Sequence, residues 1–356
     1  MSGPQIVHVV VPDGITDPSR PSGGNAYDQR LCQDLAAAGW SVRTRAVAGA
    51  WPWAEDAARG SLREALGTLA GGSLVLVDGL VASAVPEVLV PASRRLRLVL
   101  LVHLPIGVGD GHPGARVHER AVLVSAAAVV TTSCWSRRWL LETYGLDPAR
   151  VHVAQPGVDT AERAVGSDRG RNLLCVAAVT PGKGHDVLLA ALARIADLTW
   201  RCECVGALTR APDFVADLKR GAQTAGLADR FVLTGPRTGR ELEASYAAAD
   251  VLVHPSRGET YGMVVTEALA RAIPVLAPRV GGVPEALGVT QDGRRPGMLL
   301  PPGDVDALAG ALRSWLCDPA LRRGLRDAAR DRRASLTGWS ETADRVAGVL
   351  EEVAAA

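Results

Sequence analysis

Charge of one sign is what this sequence most plainly lacks. Its 39 lysines and arginines stand against 38 aspartates and glutamates, leaving a formal charge of +1 over 356 residues. Nucleic-acid binders carry a basic stripe or a domain-wide excess of Lys and Arg. Here the two signs are interspersed, so nucleic acid is excluded as an expected partner. Long apolar runs are missing as well. Leu98–Leu104 and Ala121–Thr132 fall short of the roughly 18 residues that span a bilayer, so no transmembrane segment is expected, while peripheral contact with a membrane surface stays open. The opening MSGPQIVHVVVPDG has no basic region ahead of its apolar run, and that run has a strand's length, not that of a signal peptide.

Closely spaced cysteines are also absent. Cys32, Cys134, Cys175, Cys202, Cys204 and Cys317 are scattered, and the one close pair, with a single residue between its members, suits neither a zinc knuckle nor a redox motif. Cys202 and Cys204 would point the same way from one strand and pack there. Reduced thiols and a cytoplasmic setting are the expectation. No Gly-x-Gly-x-x-Gly follows the first apolar run with an acidic residue about twenty positions on, which argues against an NAD-dependent dehydrogenase. No Asp-x-Asp pair is placed to hold a divalent ion against a diphosphate, since Asp304 and Asp306 open a helical pattern and read as capping residues. Neither a metal nor a cofactor is expected. Aromatics are few, at 4 %, but a hydrophobic fraction of 47 % and a charged fraction of 22 % are those of a folded protein, not a disordered one.

What is present is length and rhythm. A chain of 356 residues exceeds what one core supports, which suggests two domains of about 150 to 180 residues each. Short apolar runs alternate with segments of helical period: Ile6–Val11, Ser73–Val77, Leu96–His103, Ala128–Thr132 and Val151–Ala154, then Leu173–Val179, Cys202–Gly206, Phe231–Thr234, Val251–His254, Val275–Ala277 and Met298–Leu300. This is the pattern of parallel sheets with crossover helices. Between the two series the polar GVDTAERAVGSDRGR, Gly157–Arg171, reads as a hinge. Two doubly wound sheets follow, and ligands of such sheets collect beyond the C-terminal strand ends, so the pattern implies two domains facing across a ligand cleft. The boundaries expected are 1–158, 159–336 and a terminal helical segment 337–356.

The densest chemical signal runs from His254 to Leu287, HPSRGETYGMVVTEALARAIPVLAPRVGGVPEAL, with Glu259 and Glu267 separated by seven residues. It reads as a strand end, a loop and a helix start near Gly262. Such a start presents backbone N–H groups from Gly262, Met263 and Val264, beside Tyr261, and a positive dipole end toward an anion such as a diphosphate. Glu259 falls just before that helix and Glu267 about one and a half turns into it, so both can reach one bound molecule. Taken alone, Glu259 could equally complement the helix dipole and Glu267 could be a solvated face residue. Lys183 lies in a Pro-Gly-Lys-Gly turn between strand and helix, which aims an ammonium toward the same end of the sheet, although an isolated turn lysine is usually just solvated. Gly23 and Gly24 let backbone approach a ligand, or form an ordinary turn before a helix from about Tyr27. His103 ends an apolar strand. His112, His118 and His185 match no motif and read as surface or loop residues.

The segment PSRGETYGMVVTEALA followed by PVLAPRVGG resembles the donor-binding region of retaining glycosyltransferase family 4. The resemblance extends over nearly the whole chain: SGGNAYDQRLCQDLAAAGWSV, VHLP, QPGVD, PGKGHDVLLAAL, AAADVLVHPS and PPGDVDALAGAL. It implies the GT-B fold, with the final helix after Trp339 crossing back to the N-terminal domain. It implies transfer of a sugar from a nucleoside-diphosphate sugar to an acceptor, with retention and without a metal. It assigns Glu259 to hydroxyls of the transferred sugar, Glu267 to the ribose, Lys183 to the diphosphate, His103 to the transferring sugar, and the loop through Gly23 and Gly24 to the donor phosphates. One departure stands out. The family places an arginine a few residues before that lysine, where this chain has Ala178 in CVAAVT. Arg210, Arg237 or Arg279 would have to substitute, Arg237 first, because it follows the run Phe231–Thr234 at a strand's C-terminal end. The missing arginine also motivates the alternative of a nucleotide-sugar-binding pseudo-enzyme; a sugar-nucleotide epimerase, which would need an acid and a base flanking the sugar ring, is a further alternative that the segment containing Glu259 fits less well than transfer.

Overall fold

The computed structural model describes residues 5–17, 22–108 and 112–356. The chain divides into two compact units. Residues 5–17, Gly23–Gly157 and Trp339–Ala356 make up the first, and Val158–Gly338 the second.

The first unit holds six strands, β1 (Ile6–Pro12), β2 (Ser41–Val47), β3 (Leu74–Asp78), β4 (Arg97–Val102), β5 (Ala128–Thr131) and β6 (Val151–Val153), in the order β2-β1-β3-β4-β5-β6. Every pairing is parallel. Because crossover helices cover both faces, the central strands are buried throughout and read as continuous apolar runs, as LVLVD in β3 shows. β2 escaped the sequence reading for the complementary reason. It is an edge strand, SVRTRAV, and exposes Arg43, Thr44 and Ala46, so no apolar run marks it. The helix Gly23–Ala37 begins four residues earlier than expected. Residues 18–21, the preceding loop expected to lie over donor phosphates, fall outside the described residues. The terminal helix Trp339–Ala355 belongs to this unit and packs on Gly23–Ala37: the Trp339 ring meets Tyr27 edge-on at 5.6 Å, and Thr342 Oγ1 donates to Gln155 O at 2.8 Å.

The second unit repeats the plan with β7 (Asn172–Val176), β8 (Arg201–Val205), β9 (Phe231–Gly235), β10 (Val251–Val253), β11 (Val275–Pro278) and β12 (Gly297–Leu300), all parallel, in the order β12-β11-β10-β7-β8-β9. The winding runs from β7 outward to β9, then reverses and resumes at β10 on the other side of β7. That reversal is the switch point where doubly wound sheets hold ligands. Trp315, fully buried on the helix Val305–Cys317, donates its indole N–H to Gly170 O at 2.7 Å and helps anchor the start of the unit. The segment read as a hinge has no regular structure, but its second half is fastened to this unit. The buried Asp250 carboxylate accepts from Ser167 Oγ at 2.6 Å, from Asn172 N at 2.8 Å and from Arg326 Nη2 at 2.9 Å.

Candidate functional site

In the second unit, the chain leaves β7 through a short turn, Pro181–Lys183, and enters the helix His185–Ala193. Gly184 joins them at φ +71°, and a Cβ there would fall 2.1 Å from Pro255 O, so only glycine lets this turn lie against the loop that follows β10. The contact is reinforced by hydrogen bonds to Gly182 O from Arg257 N at 2.8 Å and from Ser256 Oγ at 3.3 Å. A second close approach holds the far side of the loop: Gly281, at φ +50°, leaves no room for a side chain against Glu259 O.

The result is a charge cluster at the switch point. Lys183 Nζ donates to Glu259 Oε1 at 2.5 Å, and His254 Nε2 lies 3.2 Å from the same oxygen. Burial disfavours a charged Glu259, but the His254 imidazole and the Lys183 ammonium beside it outweigh that penalty and hold its carboxyl at about 2. The sequence reading placed Lys183 and Glu259 on one ligand; the structure places them on each other. Gly262, at φ +94°, then starts the helix Met263–Ala270, and no side chain caps its first turn. Tyr261 is buried beneath that start, while Met263 and Val264 are half-buried.

Glu267 lies on the same helix but has its own partners. Its Oε2 accepts from Tyr246 OH at 2.7 Å, and Arg271, stacked over the Tyr246 ring at 4.4 Å, donates to Glu267 O at 2.7 Å. Burial raises the Glu267 carboxyl, and the Tyr246 hydrogen bond works against that rise. It is therefore an oriented, half-buried acceptor and not a solvated face residue. Arg237 also has fixed partners, Glu203 at 3.0 Å and Ser245 Oγ at 2.6 Å. Arg210 and Arg279 are exposed and form no side-chain ion pair among the described residues.

In the first unit, His103 follows β4 and is held from the helix Gly23–Ala37. Its Nε2 lies 2.8 Å from Asp28 Oδ1, Tyr27 meets its ring edge-on at 5.0 Å, and a Cβ at Gly24 would touch the ring at 3.4 Å. Gly23 and Gly24 are thus the first turn of a helix packed on the histidine. Asp78, buried at the end of β3, accepts from Leu80 N at 2.6 Å. Burial works against a charged His103, but the Asp28 carboxylate outweighs it and raises the imidazole to about 9, while burial and the neighbouring Asp28 charge push Asp78 up to about 8. Asp28 and Asp78 were missed in the sequence. Asp28 sits one helical turn after Gly24, a spacing that brings it to the same face, but nothing local shows that this face meets His103. The loop after His103 is anchored by the buried Glu119, which accepts from Ile106 N and Gly107 N at 2.9 Å each and from Tyr144 OH at 2.6 Å.

Among the described residues, two groups of side chains have the geometry to hold a metal ion: Asp28, Asp78 and His103, and Cys175, His185 and Cys204. The first is knit by its own hydrogen bonds. The second lies wholly inside the core, with Cys175 Sγ 3.7 Å from His185 Nε2, and it corrects the expectation that His185 is a surface or loop residue. Its imidazole opens a helix and turns inward beneath the sheet. Cys202 and Cys204 are both buried, their sulfurs 4.0 Å apart, and free. Asp304 caps the helix after β12 by accepting from Ala307 N at 2.9 Å.

Comparison with known proteins follows the same division. Residues 21–162 match Glycosyltransferase Family 4, and residues 170–318 match Glycosyl transferases group 1. A D-inositol 3-phosphate glycosyltransferase of Kineococcus radiotolerans is 35 % identical over 264 residues, 66 % of this chain and 60 % of that protein. Another, from Catenulispora acidiphila, is 33 % identical over 293 residues, 77 % of this chain and 68 % of that one. The chain thus spans about three fifths to two thirds of the length of these relatives. The solved sucrose-phosphate synthase of Thermosynechococcus elongatus superposes with a TM-score of 0.80 at 22 % identity, covering 99 % of both chains, which is a likeness of fold. Among the described residues no helix is long and apolar enough to cross a membrane. With two doubly wound sheets of GT-B type and matches along both units, the chain belongs to glycosyltransferase family 4.

Proposed function

We propose that this protein is a retaining glycosyltransferase, transferring a sugar from a nucleoside-diphosphate sugar to a hydroxyl-bearing acceptor without a metal or cofactor. The observation that carries the reading is the Lys183–Glu259–His254 cluster at the β7/β10 switch point, followed at once by the uncapped helix start at Gly262. A diphosphate bound there would be met by the Lys183 ammonium and by backbone N–H groups of Met263 and Val264, donors already oriented toward the charge that develops as the glycosidic bond breaks. Glu259, ionised because its neighbours hold it so, is suited to accept hydrogen bonds from sugar hydroxyls. Glu267, oriented by Tyr246, is suited to the two ribose hydroxyls. The role of His103 toward the transferring sugar, and of the Gly23–Gly24 helix start toward phosphate, belongs to the same proposal. In front-face attack the departing phosphate oxygen takes the acceptor proton, so no separate base is required.

The relatives' name makes inositol 3-phosphate the first acceptor to test. Purified protein is incubated with UDP-, GDP- and ADP-sugars and that acceptor, with and without EDTA, and the product's anomeric proton is read by NMR. An α-linked product from an α-linked donor, formed at the same rate in EDTA, is expected. A β-linked product overturns retention, and loss of transfer in EDTA overturns the metal-free reading.

A further inference from the structure

The parallel first sheet has a second end, opposite the one that carries His103, and a cavity of about 480 Å³ opens there. Its walls come from the start of β1, the middle of β2, the segment before β3 with its first residue, the first residue of β4 and the end of the terminal helix. Parallel register sets His8 beside Arg43 and Val10 beside Arg45, so the alternation of a strand brings His8, Arg43 and Arg45 to one face. Arg97 enters from β4, its guanidinium held by Ala354 O. Trp40, Leu69 and Leu74 supply apolar wall. No Asp or Glu lines the cavity among the described residues.

Three arginines converge on one concave surface without a carboxylate, and two polar atoms there have no partner. His8, 7 % exposed, keeps Nδ1 buried and unbonded, and so does Arg45 its Nε. Both atoms belong to side chains that line the cavity, and a buried polar group without a hydrogen bond costs about 1 to 3 kcal/mol. Burial, with Arg45 and Arg43 adding their charge, lowers the pKa of His8, as expected where positive potential is uncompensated. The volume is that of a small-molecule site.

We propose that this cavity binds a small phosphate-bearing anion, with Arg45, Arg43 and His8 as its ligands, at a site distinct from the charge cluster of Lys183 and Glu259. Guanidinium groups match phosphate oxygens in pairs, and the apolar wall accommodates a compact organic body.

The test titrates inorganic pyrophosphate into the full chain carrying Lys183→Ala, so that the other phosphate-binding candidate is removed. Binding heat is measured by calorimetry, and the His8 ring signal, identified by its loss in His8→Gln, is followed by NMR. Saturable binding is expected, with the His8 pKa rising as the anion offsets its two arginine neighbours. Arg45→Gln is expected to weaken binding about tenfold, the scale of one charge-assisted contact. Arg43→Gln, at an exposed position where the fold is indifferent, is expected to weaken it by a smaller factor. Absence of saturable heat, a His8 signal that does not move, or unaltered affinity in the Arg43→Gln variant overturns the proposal.

Discussion

Lys183 and Glu259, 76 residues apart and on different loops, meet at 2.5 Å between Nζ and Oε1. In the free protein the ammonium neutralises the carboxylate. On the function proposed above, a diphosphate arriving at Lys183 would replace one anionic partner with another and leave Glu259 free to accept sugar hydroxyls. Glu259→Gln is therefore expected to reduce transfer by about three orders of magnitude or more while nucleoside-diphosphate affinity holds or tightens. Lys183→Ala should weaken nucleoside-diphosphate binding by about 1.5 to 3 kcal/mol and leave nucleoside binding unchanged. Calorimetry on both variants decides it, and an equal loss of diphosphate affinity in the two contradicts this division of roles.

The same pair makes the fold acid-sensitive. Glu259 is held at about 2 against an ordinary value of 4.5, so its ionised state stabilises the native chain fully above about 4.5 and progressively less as the pH falls toward 2. Denaturant unfolding across that window should show wild type losing more stability than Glu259→Gln, in which this proton-linked contribution is gone. Parallel losses in the two proteins count against the assignment.

His103 behaves with the opposite sign. Raised to about 9 by Asp28, it stabilises the fold in its protonated form below its ordinary value of 6.5, and that contribution disappears as the pH rises through 9. In Asp28→Asn that carboxylate is removed while burial remains, so the histidine titration followed by NMR should move well down from about 9, with Asp78 still supporting the charged ring. A midpoint left near 9 would show that Asp28 is not what holds the proton.

Glu267 separates from Lys183 by ligand. Glu267→Gln keeps an oxygen for the Tyr246 hydroxyl and should fold normally. If the side chain addresses the ribose, nucleoside and nucleoside diphosphate lose affinity alike, by about 1 to 3 kcal/mol for a hydrogen bond to a charged group. A loss confined to the diphosphate would place Glu267 on the phosphates instead.

Gly107 tests the anchor beneath the His103 loop. A Cβ there would fall 2.2 Å from Tyr144 OH and 3.2 Å from Glu119 Oε2, so Gly107→Ala must displace the hydroxyl from the carboxylate. A destabilisation of about 1 to 3 kcal/mol is expected in denaturant unfolding, the cost of a disrupted buried hydrogen-bond network. Gly67→Ala, whose Cβ meets nothing within 4 Å, is the control and should be near neutral.

By itself the sequence determined the twofold architecture, because strands buried on both faces of a parallel sheet must be apolar along their whole length, and eleven such runs stand out between helical segments. It also determined the local form of the motif from His254 to Leu287, since glycine at Gly262 and the switch from strand to helix period are written in adjacent residues. It left β2 hidden, an edge strand whose exposed Arg43, Thr44 and Ala46 break any apolar run. Only tertiary structure decided which charges meet. The strand order sets β10 beside β7 and so joins Lys183 to Glu259, while Arg237, expected to be free for phosphate, is paired with Glu203, which β8 presents from beside β9. Helix packing turns Asp28 toward His103 and buries His185 among cysteines. Such partnerships join residues tens of positions apart, and periodicity, which reports only which face is buried, carries no information about what the face is buried against.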